Sequence, residues 1–367
     1  MYIAFMKIGS PKELKNNEYR IGLTPNSVKV LIEDGHEVFI ETKGGEGIGC
    51  SDEAYIQAGA KITSAEELFI SAELIIKVKE PVSKELNYLN KDHILFTYLH
   101  LAGNASQAVA LAETGVTAIA YETVTSDGEP LPLLSPMSEI AGQLAFVVGS
   151  NYLLKHNMGV GKLLGYSNEL DSAIVTVVGA GAAGKQAIIK AVANGAHVKI
   201  IDLSAQKLTE LESEFGSSNI EYIKSSPAAI LAAVKQTDLL IGSVYVVGKT
   251  APKVFSVDMI KSMKSGSVFV DISIDQGGCS ETSKPTTHDN PIYVFEDVVH
   301  YCVTNMPGSV PVTSTNALNR VTLPYIRKIA KHGLKDAFQN DPGLMKGLNI
   351  QNGKIVHQSV IDSLSIE

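Results

Sequence analysis

Short apolar segments alternate with polar, helix-forming segments along almost the whole chain. The apolar segments are continuous runs rather than patterns that repeat at every second residue. Such runs are typical of strands in a parallel sheet that helices cover on both faces. The pattern predicts an α/β fold. The first series of strands is predicted at Lys7–Gly9, Glu37–Glu41, Glu73–Val78, Ile94–Leu99 and Thr117–Glu122.

A second alternating series begins at Ala173, after a stretch that differs from the first series. Pro130, Pro132 and Pro136 interrupt the chain, and the segment from Ser138 to Lys155 then predicts one long helix. The strands of the second series are predicted at Ile174–Val178, His197–Asp202, Ile220–Ile223, Asp238–Ser243, Ser267–Ile272 and Ile292–Phe295.

Two long helices are the predicted crossings between two domains. The second crossing, Thr313 to Lys331, follows Pro307 and Pro311, and the tail after it is too short to form a domain of its own. The length of 367 residues also favours two domains. We predict one domain over residues 1–133, a second over 134–304 and a return to the first domain over 305–367.

Composition narrows the classes of function. A net charge of −8 without a long basic run argues against nucleic acid and anionic membranes as partners. The chain shows neither a signal peptide at its start nor an apolar stretch long enough to span a membrane. Three scattered cysteines, Cys50, Cys279 and Cys302, are too few for a disulfide framework or a zinc site and indicate free thiols in a reducing cytoplasm. We expect no metal site.

A glycine motif predicts the cofactor. The run Ile174–Val178 leads directly into Gly179-Ala180-Gly181-Ala182-Ala183-Gly184, and a helix-forming segment follows. In this G-x-G-x-x-G pattern the first glycine permits a tight turn, the second lets a pyrophosphate approach the backbone, and the third allows helix and strand to pack closely. Phosphates would then lie at a helix N-terminus.

An acidic residue at the end of the next strand selects between the two nicotinamide dinucleotides. Asp202 lies eighteen residues after Gly184, where a carboxylate accepts hydrogen bonds from the adenosine ribose. The same carboxylate would repel a 2′-phosphate, so we predict NAD rather than NADP. Ser225 and Val244 follow the next two strands and are further candidates for this site, although such positions can equally be plain loop residues.

Polar residues at the ends of apolar segments are the candidates for chemistry. Alternation along the strand predicts that Lys77 and Lys79 share a face, His100 ends another strand, and Arg20 lies in the first strand–helix connection. Asp275 lies in a glycine-rich loop after a strand. Arginine and lysine bind carboxylates, whereas histidine and aspartate transfer protons or order water. Each residue alone could equally be structural or merely solvated; together with a nicotinamide site they favour hydride chemistry on a small acid.

These residues lie in stretches that resemble alanine dehydrogenase, and the resemblance extends from Met6 to about Leu364. The matching stretches are Lys15-Asn16-Asn17-Glu18-Tyr19-Arg20, Lys77-Val78-Lys79-Glu80-Pro81, Leu95-Phe96-Thr97-Tyr98-Leu99-His100-Leu101, Leu133-Leu134-Ser135-Pro136-Met137-Ser138-Glu139, Asp271-Ile272-Ser273-Ile274-Asp275-Gln276-Gly277-Gly278-Cys279 and Tyr301-Cys302-Val303-Thr304-Asn305-Met306-Pro307.

The resemblance implies a fold, an activity and a set of roles. It implies two Rossmann-like, doubly wound domains with a cleft between them, a homohexamer, and reversible NAD-dependent deamination of L-alanine to pyruvate and ammonia. Arg20 and Lys79 then match the substrate-binding pair, and His100 and Asp275 the catalytic pair. Ser138, Asp202, Lys207, Ser225, Asn305 and Met306 match positions that contact the cofactor or border the cleft. The loop Ser243–Gly248 is less typical of the family, which leaves its nicotinamide-side contacts open.

Three other functions share parts of this pattern. The NAD-binding component of proton-translocating transhydrogenase has the same architecture, but it requires neither His100 nor Lys79. Saccharopine-forming dehydrogenases share the layout and less of the local sequence. A non-catalytic NAD sensor would have no need for the set Arg20, Lys79, His100 and Asp275. Turnover of an amino acid would exclude the sensor.

Overall fold

The computed structural model describes residues 5–102, 104–128, 131–165, 173–245 and 250–364. The chain forms two compact units, one of Met1–Met137 with Val310–Glu367 and the other of Ser138–Ser309. In the described residues, no helix is both long enough and apolar enough to cross a membrane.

The first unit begins with alternating strands and helices. Thr24 caps the first helix, because its side chain accepts a hydrogen bond from the backbone N of Ser27, and Pro25 occupies the first helical position, where its missing N–H is no loss. The strands are β1 (Lys7–Ser10), β2 (Glu37–Glu41), β3 (Lys61–Thr63), β4 (Leu74–Ile76), β5 (Ile94–Thr97) and β6 (Thr117–Ala120). The helices are α1 (Pro25–Glu33), α2 (Asp52–Gln57), α3 (Ala65–Ser71), α4 (Ser83–Leu86) and α5 (Ala105–Glu113), with 3₁₀ helices at Glu46–Ile48 and Tyr121–Thr123.

The second unit contains the longer alternating series. Helix α6 begins at Ser135, three residues before the predicted start, and the boundary between the units falls within it. The helices are α6 (Ser135–Tyr152), α7 (Ala182–Ala193), α8 (Ala205–Phe215), α9 (Pro227–Val234) and α10 (Val257–Lys261), with 3₁₀ helices at Lys155–Asn157, Ile272–Gln276 and Met306–Ser309. The strands are β7 (Ile174–Val178), β8 (His197–Asp202), β9 (Ile220–Lys224), β10 (Leu239–Gly242), β11 (Val268–Asp271), β12 (Ile292–Phe295) and β13 (Val298–Tyr301).

The remaining elements belong to the first unit. Helix α11 (Pro311–Asn340) has a non-helical residue, Gly333, with φ of +70°. It is followed by α12 (Pro342–Met345), β14 (Leu348–Gln351), β15 (Lys354–Ile355) and α13 (Gln358–Leu364). Strand β14 pairs antiparallel with β6 and thereby extends the sheet of the first unit.

Both sheets are doubly wound. The first unit has the strand order β15-β14-β6-β5-β4-β1-β2-β3, and the second has β12-β13-β11-β10-β7-β8-β9. In each unit six parallel strands follow the order 3-2-1-4-5-6, in which the chain reverses direction across the sheet between its first and fourth strands. The predicted pair of Rossmann-like sheets is confirmed.

Some strands were not predicted from the sequence. Strand β3 is short and partly exposed, and β13 returns antiparallel to β12 after a tight turn at Glu296 and Asp297, both with positive φ. That turn joins β12 and β13 into a hairpin at the edge of the sheet. The interior strands β7 and β10, in contrast, are almost entirely apolar and were predicted within a residue of their ends.

Candidate functional site

The glycine-rich turn after β7 has the geometry that a dinucleotide site requires. Gly179 has φ of +93°, and a Cβ there would lie 2.2 Å from the carbonyl oxygen of Ser243. A Cβ at Gly184 would lie 1.8 Å from the carbonyl oxygen of Gly179, so helix α7 can pack against the turn only with glycine at this position. Around Gly181, in contrast, no described atom lies within 4 Å of a Cβ position.

The open space beside Gly181 lies at the N-terminus of helix α7. No described side chain caps this helix at Gly181. The first backbone N–H groups of a helix have no partners inside it and carry a partial positive charge, which suits a pyrophosphate. The residues present therefore fit a dinucleotide.

Asp202 ends β8 beside this turn. Its Oδ2 accepts a hydrogen bond from the backbone N of Ala180 at 2.7 Å, and its Oδ1 accepts one from Ser204 N at 2.8 Å. Lys207 Nζ lies 3.8 Å from Oδ2. The backbone N of Ser225 donates to the carbonyl oxygen of Asp202 at 2.9 Å. The structure thus brings together Asp202, Lys207, Ser225 and the glycine turn at the carboxyl ends of β7, β8 and β9.

Val244 follows β10, on the other side of the point where the strand order reverses. Its backbone N donates to Ser273 Oγ at 3.0 Å, and Ser273 Oγ donates to the carbonyl oxygen of Val244 at 2.8 Å. Ser273 therefore ties Val244 to the loop that carries Asp275. Residues 246–248 of the loop Ser243–Gly248 lie outside the described residues.

A buried carboxylate organises the loop that carries Asp275. Asp271 accepts hydrogen bonds from Ser273 N, Cys279 N, Cys279 Sγ and Ser283 Oγ. Burial raises the pKa of Asp271, although these donors oppose the rise. Asp275 itself is exposed on the 3₁₀ helix that Asp271 begins. Among the residues that matter here, Asp271 and Ser273 were within a quoted motif but were assigned no role from the sequence.

Asn305 lies next to Asp275, whereas Met306 and Ser138 are placed differently. The backbone N of Asn305, which has φ of +63°, donates to Asp275 Oδ1 at 3.3 Å. Met306 is 3% exposed and packs in the core of the second unit. Ser138 lies in the first turns of α6 and is half-buried. A cofactor contact by either remains a prediction.

Arg20, in the first unit, is a buried cation with a fixed orientation. Its Nε and Nη2 donate to the two carboxylate oxygens of Glu18 at 2.7 and 2.6 Å, and Nη1 lies 3.2 Å from Met137 Sδ. Burial opposes the charge of Arg20, but the hydrogen bonds and the charge of Glu18 outweigh it and raise the pKa of the guanidinium. Such a bidentate pair fixes the plane of the guanidinium.

The two lysines of the Lys77–Lys79 stretch have different surroundings. Strand β4 ends at Ile76, before both of them, so the alternation that predicted a shared face does not apply. Lys77 is fully buried and bonds to Glu13 and Glu85. Lys79 is half-buried; its backbone N donates to Glu13 Oε1 at 3.3 Å, and its carbonyl oxygen accepts from Thr97 Oγ1 at 3.0 Å.

His100 lies just beyond β5 in a backbone conformation that histidine seldom adopts. Its φ is +47°, in the left-handed region. The carboxylate of Glu122 accepts the backbone N–H groups of Leu99 and His100, the latter at 2.6 Å. The exposed imidazole stacks on the ring of Tyr98, with centroids 5.7 Å apart and planes 11° from parallel. Strained residues held in this way are concentrated at functional sites.

Lys79 and His100 both act electrostatically on Glu80. Burial disfavours the charged form of Glu80, but an ion pair with Lys15 and the charges of Lys79 and His100 outweigh it and lower the pKa of Glu80. In the first unit, the charges of Lys79 and His100 thus both favour the ionised form of this carboxylate. Tyr98, which stacks on His100, is in turn influenced by the charge of Arg20.

Metal ligands are not assembled in the described part of the chain. No group of three or more histidine, cysteine, aspartate or glutamate side chains there is placed to hold a metal ion. Cys50, Cys279 and Cys302 are free thiols.

The chain is similar to known proteins over nearly its whole length. Residues 9–141 match the alanine dehydrogenase/PNT N-terminal domain, and residues 145–358 match the alanine dehydrogenase/PNT C-terminal domain. Alanine dehydrogenase of Staphylococcus haemolyticus (strain JCSC1435) is 47% identical over 363 residues, which cover 99% of this chain and 97% of that protein. Alanine dehydrogenase 2 of Staphylococcus aureus (strain USA300) is 46% identical over the same length, with 99% and 97% covered.

Solved structures show the same similarity. An L-alanine dehydrogenase superposes with a TM-score of 0.93 at 47% identity, covering 98% of this chain and 99% of that one. A transhydrogenase from Sinorhizobium meliloti superposes with a TM-score of 0.82 at 23% identity, covering 95% and 100%, which shows a shared fold.

Proposed function

This chain belongs to the alanine dehydrogenase/PNT family, and from that premise we propose that it catalyses the reversible NAD-dependent oxidative deamination of L-alanine to pyruvate and ammonia. The observation that carries the proposal is the identity of 47% with a curated alanine dehydrogenase over nearly the full length of both chains. The substrate-side residues support it, because a cationic pair and a histidine lie in the same unit.

Arg20 and Lys79 are proposed to bind the substrate carboxylate. Glu18 fixes the guanidinium of Arg20 by two hydrogen bonds, and the backbone of Lys79 is held at both its N–H and its carbonyl. Two cations with fixed backbones can hold a carboxylate in one orientation, which brings the reacting carbon into line for transfer.

His100 is proposed to move the protons of the reaction. An imidazole can take a proton from water that adds to the imine carbon, then return it to the departing amine. Stacking on Tyr98 and the Glu122 hydrogen bond to the His100 backbone limit where the ring can point. Asp275 is proposed to share this proton work on the strength of the family resemblance.

The cofactor is bound by the second unit. NAD, when bound, supplies a nicotinamide ring that accepts a hydride. The turn of Gly179, Gly181 and Gly184 suits its pyrophosphate, and Asp202 suits a ribose diol. Because Asp202 carries a negative charge at the position where NADP has a phosphate, we propose that NAD is preferred. Ser138, Lys207, Ser225, Val244, Asn305 and Met306 are proposed to border the cofactor.

Assembly and location complete the proposal. The family resemblance supports a homohexamer in the cytoplasm. Six chains of 39.2 kDa each would then migrate as one particle.

The test is reductive amination. Purified protein is mixed with NADH, pyruvate and ammonium, and the loss of NADH is followed together with the formation of alanine. We expect NADH to be consumed only when pyruvate and ammonium are both present, and the alanine formed to be the L-enantiomer. Tight NADH binding without turnover would instead favour a transhydrogenase-like or sensor function.

A further inference from the structure

Three ionisable side chains, Glu13, Lys77 and Glu85, lie buried together in the first unit. Their side chains are 2, 1 and 4% exposed. Lys77 Nζ donates to Glu13 Oε2 at 3.1 Å and to Glu85 Oε1 at 2.6 Å. Removing three charges from water is expensive, and a buried ion pair is often no more stable than apolar side chains of the same volume. The fold alone does not account for the presence of this trio.

The other oxygens of the two carboxylates hold a single backbone segment. Glu13 Oε1 accepts the N–H of Val78 at 2.6 Å and that of Lys79 at 3.3 Å. Glu85 Oε2 accepts the N–H of Val82 at 2.9 Å. The trio thus fixes the chain from residue 77 to residue 82, with Lys79 near the middle.

Topology places this clamp at the point where ligands bind in open α/β sheets. Glu13 follows β1 and Lys77 follows β4, and these neighbouring strands flank the reversal of strand order in the first unit. Arg20 lies in the same connection after β1 as Glu13, and the negative charge of Glu13 acts on its guanidinium. Glu13 therefore contacts the Lys79 backbone directly and acts on Arg20 through its charge.

We propose that Glu13 is a positioning residue for substrate binding, which sets the place of Lys79 relative to Arg20, and that Lys77 and Glu85 hold Glu13 in its place. The inference rests on the proposed function, because it takes Lys79 as a ligand of the substrate carboxylate. Glu13 itself contacts no substrate; it acts through the two backbone N–H groups that it accepts.

Glu13→Gln and Glu13→Asp test the proposal in two ways. Glutamine keeps the shape but turns an NH₂ group towards Lys77, so that two donors face each other. Aspartate keeps the negative charge but shortens the side chain by one methylene and withdraws the carboxylate from Val78. If Glu13→Gln does not fold, Glu13→Asp decides the question, because it retains the charge opposite Lys77.

The expected result is a split between the kinetic constants. Misplaced substrate binding raises KM with little change in kcat, so we expect the KM for pyruvate to rise by about tenfold or more and kcat to stay within about threefold. Affinity for NADH should not change, since the second unit binds it. A merely structural role would lower the amount or the thermal stability of active enzyme and leave KM unchanged.

Asp34→Asn is the matched control. Asp34 forms a bidentate ion pair with Arg327 at 2.5 and 2.8 Å, also in the first unit, so its loss perturbs the unit without touching the Lys79 segment. We expect an unchanged KM for pyruvate in this variant.

Lys79→Ala separates failure of the inference from failure of the proposed function. If Lys79→Ala raises the KM for pyruvate and both folded Glu13 variants leave it within about twofold of the wild type, Glu13 does not position the substrate. If Lys79→Ala itself leaves KM unchanged, the assignment of Lys79 is wrong and the inference is overturned with it.

Discussion

At the scale of single residues, the account depends most on His100. We expect His100→Ala to lower turnover by a factor of about 10²–10⁴ or more, the range typical of general acid–base catalysis, while NADH binding is retained. Turnover and NADH affinity should be measured on the same preparation. Activity within about tenfold of the wild type, a loss of only ~1.4 kcal/mol, would mean that another group moves the protons.

Asp202 is the residue that decides cofactor preference. Asp202→Asn keeps an oxygen that can accept from Ala180 N or Ser204 N but removes the charge that repels a 2′-phosphate. We expect the ratio of kcat/KM for NADPH to that for NADH to rise by about tenfold or more. An unchanged ratio would show that the selection lies elsewhere, with Lys207 the next residue to examine.

The surroundings of some single residues could be predicted from the sequence, and those of others could not. Local motifs, such as the glycine turn and Asp202, lie within one strand–turn–helix unit and could be predicted together. Lys77 was predicted to share a face with Lys79, but one of its partners, Glu13, is 64 positions away in the sequence. Glu122, which holds the backbone of His100, is likewise 22 positions from it. Such partners become neighbours only through strand order, which no local pattern encodes.

At the scale of elements, the glycine turn and helix α7 give a paired prediction. Gly184→Ala places a Cβ against the carbonyl oxygen of Gly179, so we expect it to destabilise the protein by about 1–3 kcal/mol. Gly181→Ala places a Cβ in open space, so we expect it to fold normally and to bind NADH about tenfold more weakly, ~1.4 kcal/mol. Thermal melts and NADH titrations distinguish the two effects. Normal NADH binding by Gly181→Ala would argue that the pyrophosphate does not approach there.

The connection between α1 and β2 predicts a dependence of stability on pH. His36 is buried there near Asp34 and Arg327, neither of its ring nitrogens has a hydrogen-bond partner among the described residues, and burial lowers its pKa. The unfolded chain then takes up a proton at a higher pH than the folded one, so stability is fully present above the ordinary histidine pKa and falls as the pH drops from that value towards the lowered one.

His36→Leu tests this dependence. We expect the loss of melting temperature between neutral and mildly acidic pH to shrink in the variant, by an amount equivalent to at most about 1 kcal/mol of unfolding free energy. If the loss of melting temperature is the same in the variant as in the wild type, the acid sensitivity comes from other groups. The next candidate is then His300, because burial lowers its pKa as well.

Secondary structure was predicted well where the signal was continuous. Runs such as Ile174–Val178 are apolar at every position or nearly so, because helices cover both faces of the parallel sheet. Short strands are different: β13 follows a two-residue turn of Glu296 and Asp297, and neither residue is the glycine or asparagine that typically marks a turn with positive φ. Edge strand β3 is partly exposed and shows no continuous apolar run, whereas β13 lies buried between β12 and β11 and was missed because no typical turn residue precedes it.

At the scale of the whole molecule, assembly is the first prediction. We expect light scattering coupled to size-exclusion chromatography to give a mass about six times the 39.2 kDa of the chain. A stable monomer that is fully active would contradict the proposed hexamer without affecting the assignment of the reaction.

The central claim is that this chain oxidises L-alanine with NAD. The most direct measurement is the rate of NADH formation from NAD and L-alanine at alkaline pH, where the substrate amine is neutral, alongside D-alanine, glycine, L-glutamate and NADP. The account predicts rapid NADH formation with L-alanine, little with D-alanine or L-glutamate, and little NADPH formation when NADP replaces NAD. No NADH from any amino acid, in protein that binds NADH tightly, would contradict it.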